Sequence, residues 1–305
     1  MRALKRALWL WVGFATTVAR AHGPATDDAR WTFDPWIVVP LVLAAALYAY
    51  GAVQVRRRTR GTSRHVREHV CFVAGWTTLA IALVSPLHAS GERSFAAHML
   101  EHELLMLVAA PLLVLARPLG FFAWAVPMPV RRGIGRLQRR RTFAYLWSLS
   151  VQPVAATVLQ AAALWIWHAP APFGLALAHP GWHVAQHITF LVTALCFWTA
   201  VLDRHVLDAR PMLAAGCLFA TTIVGGALGA LMAFSWSPWY AVYADLGMTP
   251  YGLSPLEDQQ LAGLLMWIPG GLIHVGAALA VVARVLRAEP VSHPGMQLDD
   301  ARRQQ

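Results

Sequence analysis

Apolar residues in this chain come in long runs rather than in alternation. Seven such runs, at about 35–55, 69–88, 97–116, 143–167, 182–202, 211–235 and 259–283, are separated by short polar or basic segments. About 20 apolar residues cross the hydrocarbon core of a bilayer, so each run predicts a transmembrane helix. An unpaired backbone group in hydrocarbon costs several kcal/mol, and these runs are too long and too evenly apolar for the strands of a barrel. An earlier apolar run, 7–19, follows Arg2, Lys5 and Arg6 and ends in Ala19-Arg20-Ala21, the form of a secretory signal peptide. The alternative is an uncleaved signal anchor. The predicted fold is an all-α membrane protein: a signal peptide at 1–21, a polytopic bundle of about seven transmembrane helices within 22–287, and a polar, disordered cytoplasmic tail at 288–305.

Composition agrees with this reading and removes its competitors. Of the 305 residues, 57% are hydrophobic and 13% charged, about half the charge of a soluble domain. The net charge of +10 does not imply a nucleic-acid partner, because the basic residues form short runs between apolar stretches with no aromatic interleaving. It reports topology instead. Segments 56–68, 117–141, 203–210 and the residues from Arg284 onward hold 19 Lys and Arg, whereas 22–34, 88–96, 168–181 and 236–258 hold only Arg30 and Arg93. Positive charge stays in the cytoplasm, which predicts a plasma-membrane protein with its mature N-terminus outside and its C-terminus inside. Segment 117–141, with Phe121, Phe122 and Trp124 ahead of its arginine clusters, suits the anionic inner leaflet, though it also reads as a plain solvated loop. The Trp- and Tyr-rich loop 236–258 is expected at the outer interface. Cys71, Cys196 and Cys217 form no C-x-x-C pair and point neither to a disulfide framework nor to a thiolate clip.

Histidine placement carries the chemistry. Of 13 histidines, eight (His22, His88, His98, His102, His168, His179, His183 and His187) fall on the outer side or the outer half of the membrane. His98/His102 and His183/His187 repeat a four-residue spacing at the outer ends of two predicted spans, and residues i and i+4 share a helix face. Ionisable side chains at membrane depth mark functional pathways, so these four are metal-ligand candidates, with His168 next. Met106 continues the same four-residue step and Met266 lies in the last span. Thioether with imidazole and no thiolate favours copper, as Cu(I), over zinc. Asp258 at the head of the last span is a candidate to orient a ligand imidazole, to admit a cation, or to cap a helix. His22, if cleavage exposes it, could chelate copper through its amine and imidazole. Pro269-Gly270-Gly271 predicts a kink with His274 beyond it, and Gly225/Gly229 form a small-residue packing motif.

Residues 98–102 also match H-x-x-E-H, the inverted zinc-protease motif with Glu101 as base. The short motif lacks an obvious third carboxylate ligand, and the chain is read as a non-enzyme. The wider pattern is more specific. His98-Met99-Leu100-x-His102, then Ala110-Pro111-Leu112-Leu113 and Arg117-Pro118, then Trp167-His168-x-Pro170, His183/His187 and Asp258-Gln259-Gln260-x-Ala262-Gly263-x-x-Met266-Trp267 resembles the integral-membrane CtaG family of cytochrome c oxidase assembly factors over about 35–285. Glu101 stands where that pattern is expected to carry Gln, and Glu103 replaces an apolar or Met position. The resemblance implies assembly of a copper-containing oxidase, with oxidase subunits or other copper chaperones as partners. The residues alone leave open a haem-binding membrane electron carrier and a cation transporter.

Overall fold

Proline sets most of the helix starts. The structure, a computed structural model, describes residues 30–58 and 65–287; the signal-peptide segment, His22 and the tail 288–305 lie outside the described residues. Eight helices open on a proline: Pro35, Pro86, Pro118, Pro153, Pro170, Pro180, Pro211 and Pro255. At the first helical position proline gives up an N–H that would have no partner anyway, and its fixed φ suits the helix. The longer elements are α1 (Pro35–Arg58), α2 (Val66–Val84), α3 (Phe95–Ala116), α4 (Pro153–His168), α5 (Pro180–Leu202), α6 (Pro211–Ala233) and α7 (Pro255–Arg287). No strand occurs among the described residues.

Among the described residues, five helices (α1, α3, α5, α6 and α7) can cross a membrane by length and composition, or six if a bent pair counts as one span. Two predicted spans differ from the continuous helices expected. The run 69–88 ends as a helix at Val84, because Ser85 is held extended (φ −75°, ψ 171°) ahead of Pro86, the conformation a residue before proline favours. The chain restarts as the short helix Pro86–Gly91, and Arg67 and Glu68 lie in the first turn of α2. The run 143–167 divides in the same way into Arg141–Ser150 and α4, bent by 73° at a break before Pro153. At Pro269 the outcome is reversed: α7 runs through it as one helix of 33 residues.

The helix that carries His98 and His102 is the most enclosed span. In its apolar window 56% of residues are buried, against 11% in α1, so α3 is central and α1 peripheral. Inside α3, residues Leu104–Ala109 form a π-turn, a local widening that occurs frequently at functional sites. The Met106 carbonyl in this turn accepts the Trp198 indole N–H of α5 at 2.9 Å. Met128–Gln138 has no buried residue, and the Arg58 and Arg131 guanidinium groups lie 4.6 and 4.7 Å from the Trp124 ring.

Helices α6 and α7 approach backbone to backbone. A Cβ at Gly229 would lie 2.7 Å from the Gly263 carbonyl oxygen, and one at Gly263 would lie 2.5 Å from that of Gly229. The pair that packs is therefore Gly229 with Gly263. Gly225 meets only Leu164, at 3.8 Å. Gly229→Val is expected to lower thermal stability in detergent by about 1–3 kcal/mol through overpacking, whereas Gly216→Ala, with nothing within 4 Å, is expected to leave it unchanged.

Candidate functional site

From Trp31 onward the described residues form one compact unit, and three of its elements meet at the N-terminal end of α3. The α3 helix offers His98, Glu101 and His102, α5 offers His183 and His187, and the restart after Pro86 offers His88. Ser94 caps α3 by accepting the Ala97 N–H. Gly91 lets the short helix lie close against it, since a Cβ there would sit 3.3 Å from His98 Cα.

Five imidazoles gather in one cluster. Ring centroids lie 4.4 Å apart within each predicted pair, His98/His102 and His183/His187. Between the pairs, His102 and His187 are 5.0 Å apart and His98 and His183 5.4 Å. His88 stacks on His183 at 5.5 Å, and its Nδ1–H donates to Glu101 Oε1 at 2.8 Å. That oxygen is also 3.7 Å from His187 Nε2. One ligand atom each from His88, Glu101 and His187 lie within 4.8 Å of one another, close to the limit of about 4.2 Å for two ligands at 2.0–2.1 Å from one ion.

Burial makes this arrangement costly unless something is bound. His98 and His102 are 1% exposed and Glu101 is fully enclosed. His98 Nε2, both His102 nitrogens, His183 Nε2, His187 Nε2 and Glu101 Oε2 are buried without a hydrogen-bond partner among the described residues. Each such group costs about 1–3 kcal/mol if left unsatisfied. A cation that accepts imidazole lone pairs next to a carboxylate removes that cost and neutralises the charge.

The remaining candidates take other places. His168 is buried next to the cluster; its Nδ1–H donates to the Leu164 carbonyl at 2.7 Å, and its Nε2 faces Met99 Sδ at 3.2 Å. The tautomer that bonds Leu164 leaves the Nε2 lone pair beside a thioether, which makes a soft nitrogen–sulfur donor pair. Asp258 neither touches an imidazole of the cluster nor opens to solvent. Its carboxylate accepts Ser94 Oγ–H at 2.8 Å, Phe95 N–H at 2.5 Å and Ala96 N–H at 3.4 Å. It therefore caps α3, a different helix from its own. Met106 and Met266 do not join the histidines: both line a separate cavity deeper in the bundle, with Glu103, Gln160 and His274. Four residues of α-helix descend about 6 Å, and the π-turn changes the register of α3 just there, so the four-residue step from His102 to Met106 does not reach the same point.

The loop 236–258 roofs the site. Trp236 is exposed, but Tyr240 and Tyr243 are buried against Phe95 and Phe173. Tyr240 donates to the His168 carbonyl at 2.8 Å and Tyr243 to the Gly91 carbonyl at 2.6 Å. Burial, and after it the carboxylate of Asp258, holds the Tyr243 phenol well above its ordinary pKa, and burial does the same for Tyr240. Both stay protonated donors that tie the loop to the elements carrying His88 and His168. Tyr243→Phe is expected to lower thermal stability by about 0.5–1.5 kcal/mol, read by thermal unfolding in detergent, because it frees the Gly91 end of that tie while keeping the ring.

A family model described as cytochrome c oxidase caa3 assembly factor (Caa3_CtaG) matches residues 46–288. An uncharacterized protein of Mycobacterium bovis and one of Mycobacterium tuberculosis are each 28% identical over 268 residues, which cover 84% of this chain. The chain spans 39% of the length of those relatives. No solved structure matches it.

Proposed function

Since this chain belongs to the Caa3_CtaG family of cytochrome c oxidase assembly factors, we propose that it binds copper at the His88, His98, His102, His183, His187 and Glu101 cluster and passes it to the oxidase or to a copper chaperone. The observation that carries this reading is the set of buried imidazole nitrogens without hydrogen-bond partners among the described residues, gathered from α3 and α5 into one cluster of rings in contact. Nitrogen donors bind copper more tightly than any other divalent metal of the first row, and the adjoining Met99/His168 pair favours Cu(I). The distribution of arginine supports a bacterial plasma-membrane setting with the cluster toward the outer face. On this reading α2 and the bent pair also cross, which makes seven spans.

Imidazole rings in mutual contact leave no slot for a porphyrin, which favours an ion over haem. Glu101 is engaged by His88, which favours charge balance over the role of a hydrolytic base. The test is the metal content and absorption spectrum of the purified wild-type protein. Copper in a preparation without a Soret band is expected; a Soret band with no copper overturns the reading. Glu101→Gln keeps the shape of the side chain and removes its charge, and is expected to weaken copper affinity by about tenfold in the same chelator competition.

A further inference from the structure

The bundle holds a second polar site below the histidine cluster. A cavity of about 40 Å³ is lined by Glu103, Met106, Gln160, Met266, Gly270 and His274, where roughly 10–15 Å³ suffices for one water-sized occupant. Glu103 Oε2 and Gln160 Oε1 are buried here without a hydrogen-bond partner among the described residues. The backbone has been cleared for the carboxylate: a Cβ on Gly270 would lie 3.2 Å from Glu103 Oε2. Gln160 Nε2 donates to Met106 Sδ at 3.3 Å, and the His274 ring is fixed by donating Nδ1–H to the Gly270 carbonyl at 2.8 Å and by stacking on Trp198.

We propose that this cavity is a second, deeper station for a soft monovalent cation, held by Met106, Met266 and Glu103 with His274 beside them. An ionised carboxylate at membrane depth is costly unless a proton or a counter-charge neutralises it. Two thioethers lining the same cavity as Glu103 select a soft cation over a hard one, and one such cation with one carboxylate is neutral. A hydrated cavity without an ion would satisfy Glu103 and Gln160 but gives the thioethers no role. The inference rests on the reading that this chain handles copper, and it is stated for a site separate from the histidine cluster.

Silver(I), a redox-inert probe for a soft monovalent cation, tests it on the full-length protein in detergent. In a His98→Ala/His102→Ala background, at least one equivalent of silver with sulfur scattering at the metal absorption edge is expected to remain. Adding Met106→Leu and Met266→Leu, which conserve volume, is expected to remove that equivalent. Glu103→Gln in the same background is expected to weaken it by about tenfold or more, and provides a conservative second variant should the methionine pair fail to fold. If the background binds no silver while the wild type does, the second station is overturned and the cluster reading stands. Retention of the equivalent after the methionine substitutions also overturns it. If the wild type itself binds none, both fail.

Discussion

On the proposed copper reading, the His98→Ala/His102→Ala variant is expected to bind copper at the cluster more than about a hundredfold more weakly than the wild type. Groups that merely orient metal ligands cost 10–100-fold when removed, and here two of five imidazoles go, from the most enclosed span of the bundle. The effect on the metal-free fold is expected to be small. Truncating large buried side chains leaves cavities and costs about 2–5 kcal/mol, but three nitrogens without partners disappear with these two rings, which offsets much of that loss at about 1–3 kcal/mol each. Thermal unfolding separates the two effects. A ligand at 100 times its dissociation constant stabilises by about 2.7 kcal/mol, so copper is expected to raise the melting temperature of the wild type by clearly more than that of the variant, which lacks the cluster site. In cells the same variant is expected to lower cytochrome c oxidase activity in membranes. A variant that gains as much stability from copper as the wild type would place the metal elsewhere.

The histidine pairs were legible because helical spacing is a local property: four residues along either α3 or α5 bring two imidazoles to one face whatever the neighbours do. That the two pairs meet depends on helix packing, yet their matching depth, inferred from arginine placement, already pointed that way. His88 was harder to place. As the end of a straight span it would stand apart, and only the break at Ser85-Pro86 turns it onto Glu101. Helical spacing alone does not separate Met106 from the histidines; the π-turn and about 6 Å of depth deliver it with Met266 to the lower cavity. Glu103, one residue from a proposed ligand, pairs with Gly270 through a close approach that no sequence spacing encodes. The bent pair before His168 is the case where hydropathy sees one run and the residue before a proline makes two helices.

Asp258→Ala is expected to cost about 3–5 kcal/mol of stability and also to weaken copper affinity by 10–100-fold. The carboxylate is buried and accepts from Ser94 Oγ, Phe95 N and Ala96 N, so its removal strands the start of α3 without its cap. His98 lies one helical turn beyond Ser94, whose carbonyl accepts its backbone N–H at 3.1 Å; fraying of that turn therefore moves the first ligand of the cluster. Asp258→Asn is expected to fall between Ala and the wild type. Its amide oxygen can replace one acceptor, but its NH₂ faces hydrogen-bond donors. Glu257 provides the control, because it is exposed and bonds Ser254 at the head of its own helix. Glu257→Ala is expected to leave copper affinity unchanged and to change stability little, because its bonds to Ser254 are exposed to solvent. Should Asp258→Ala melt with the wild type while losing copper as completely as the double-histidine variant, the carboxylate would be a ligand rather than the cap that positions one.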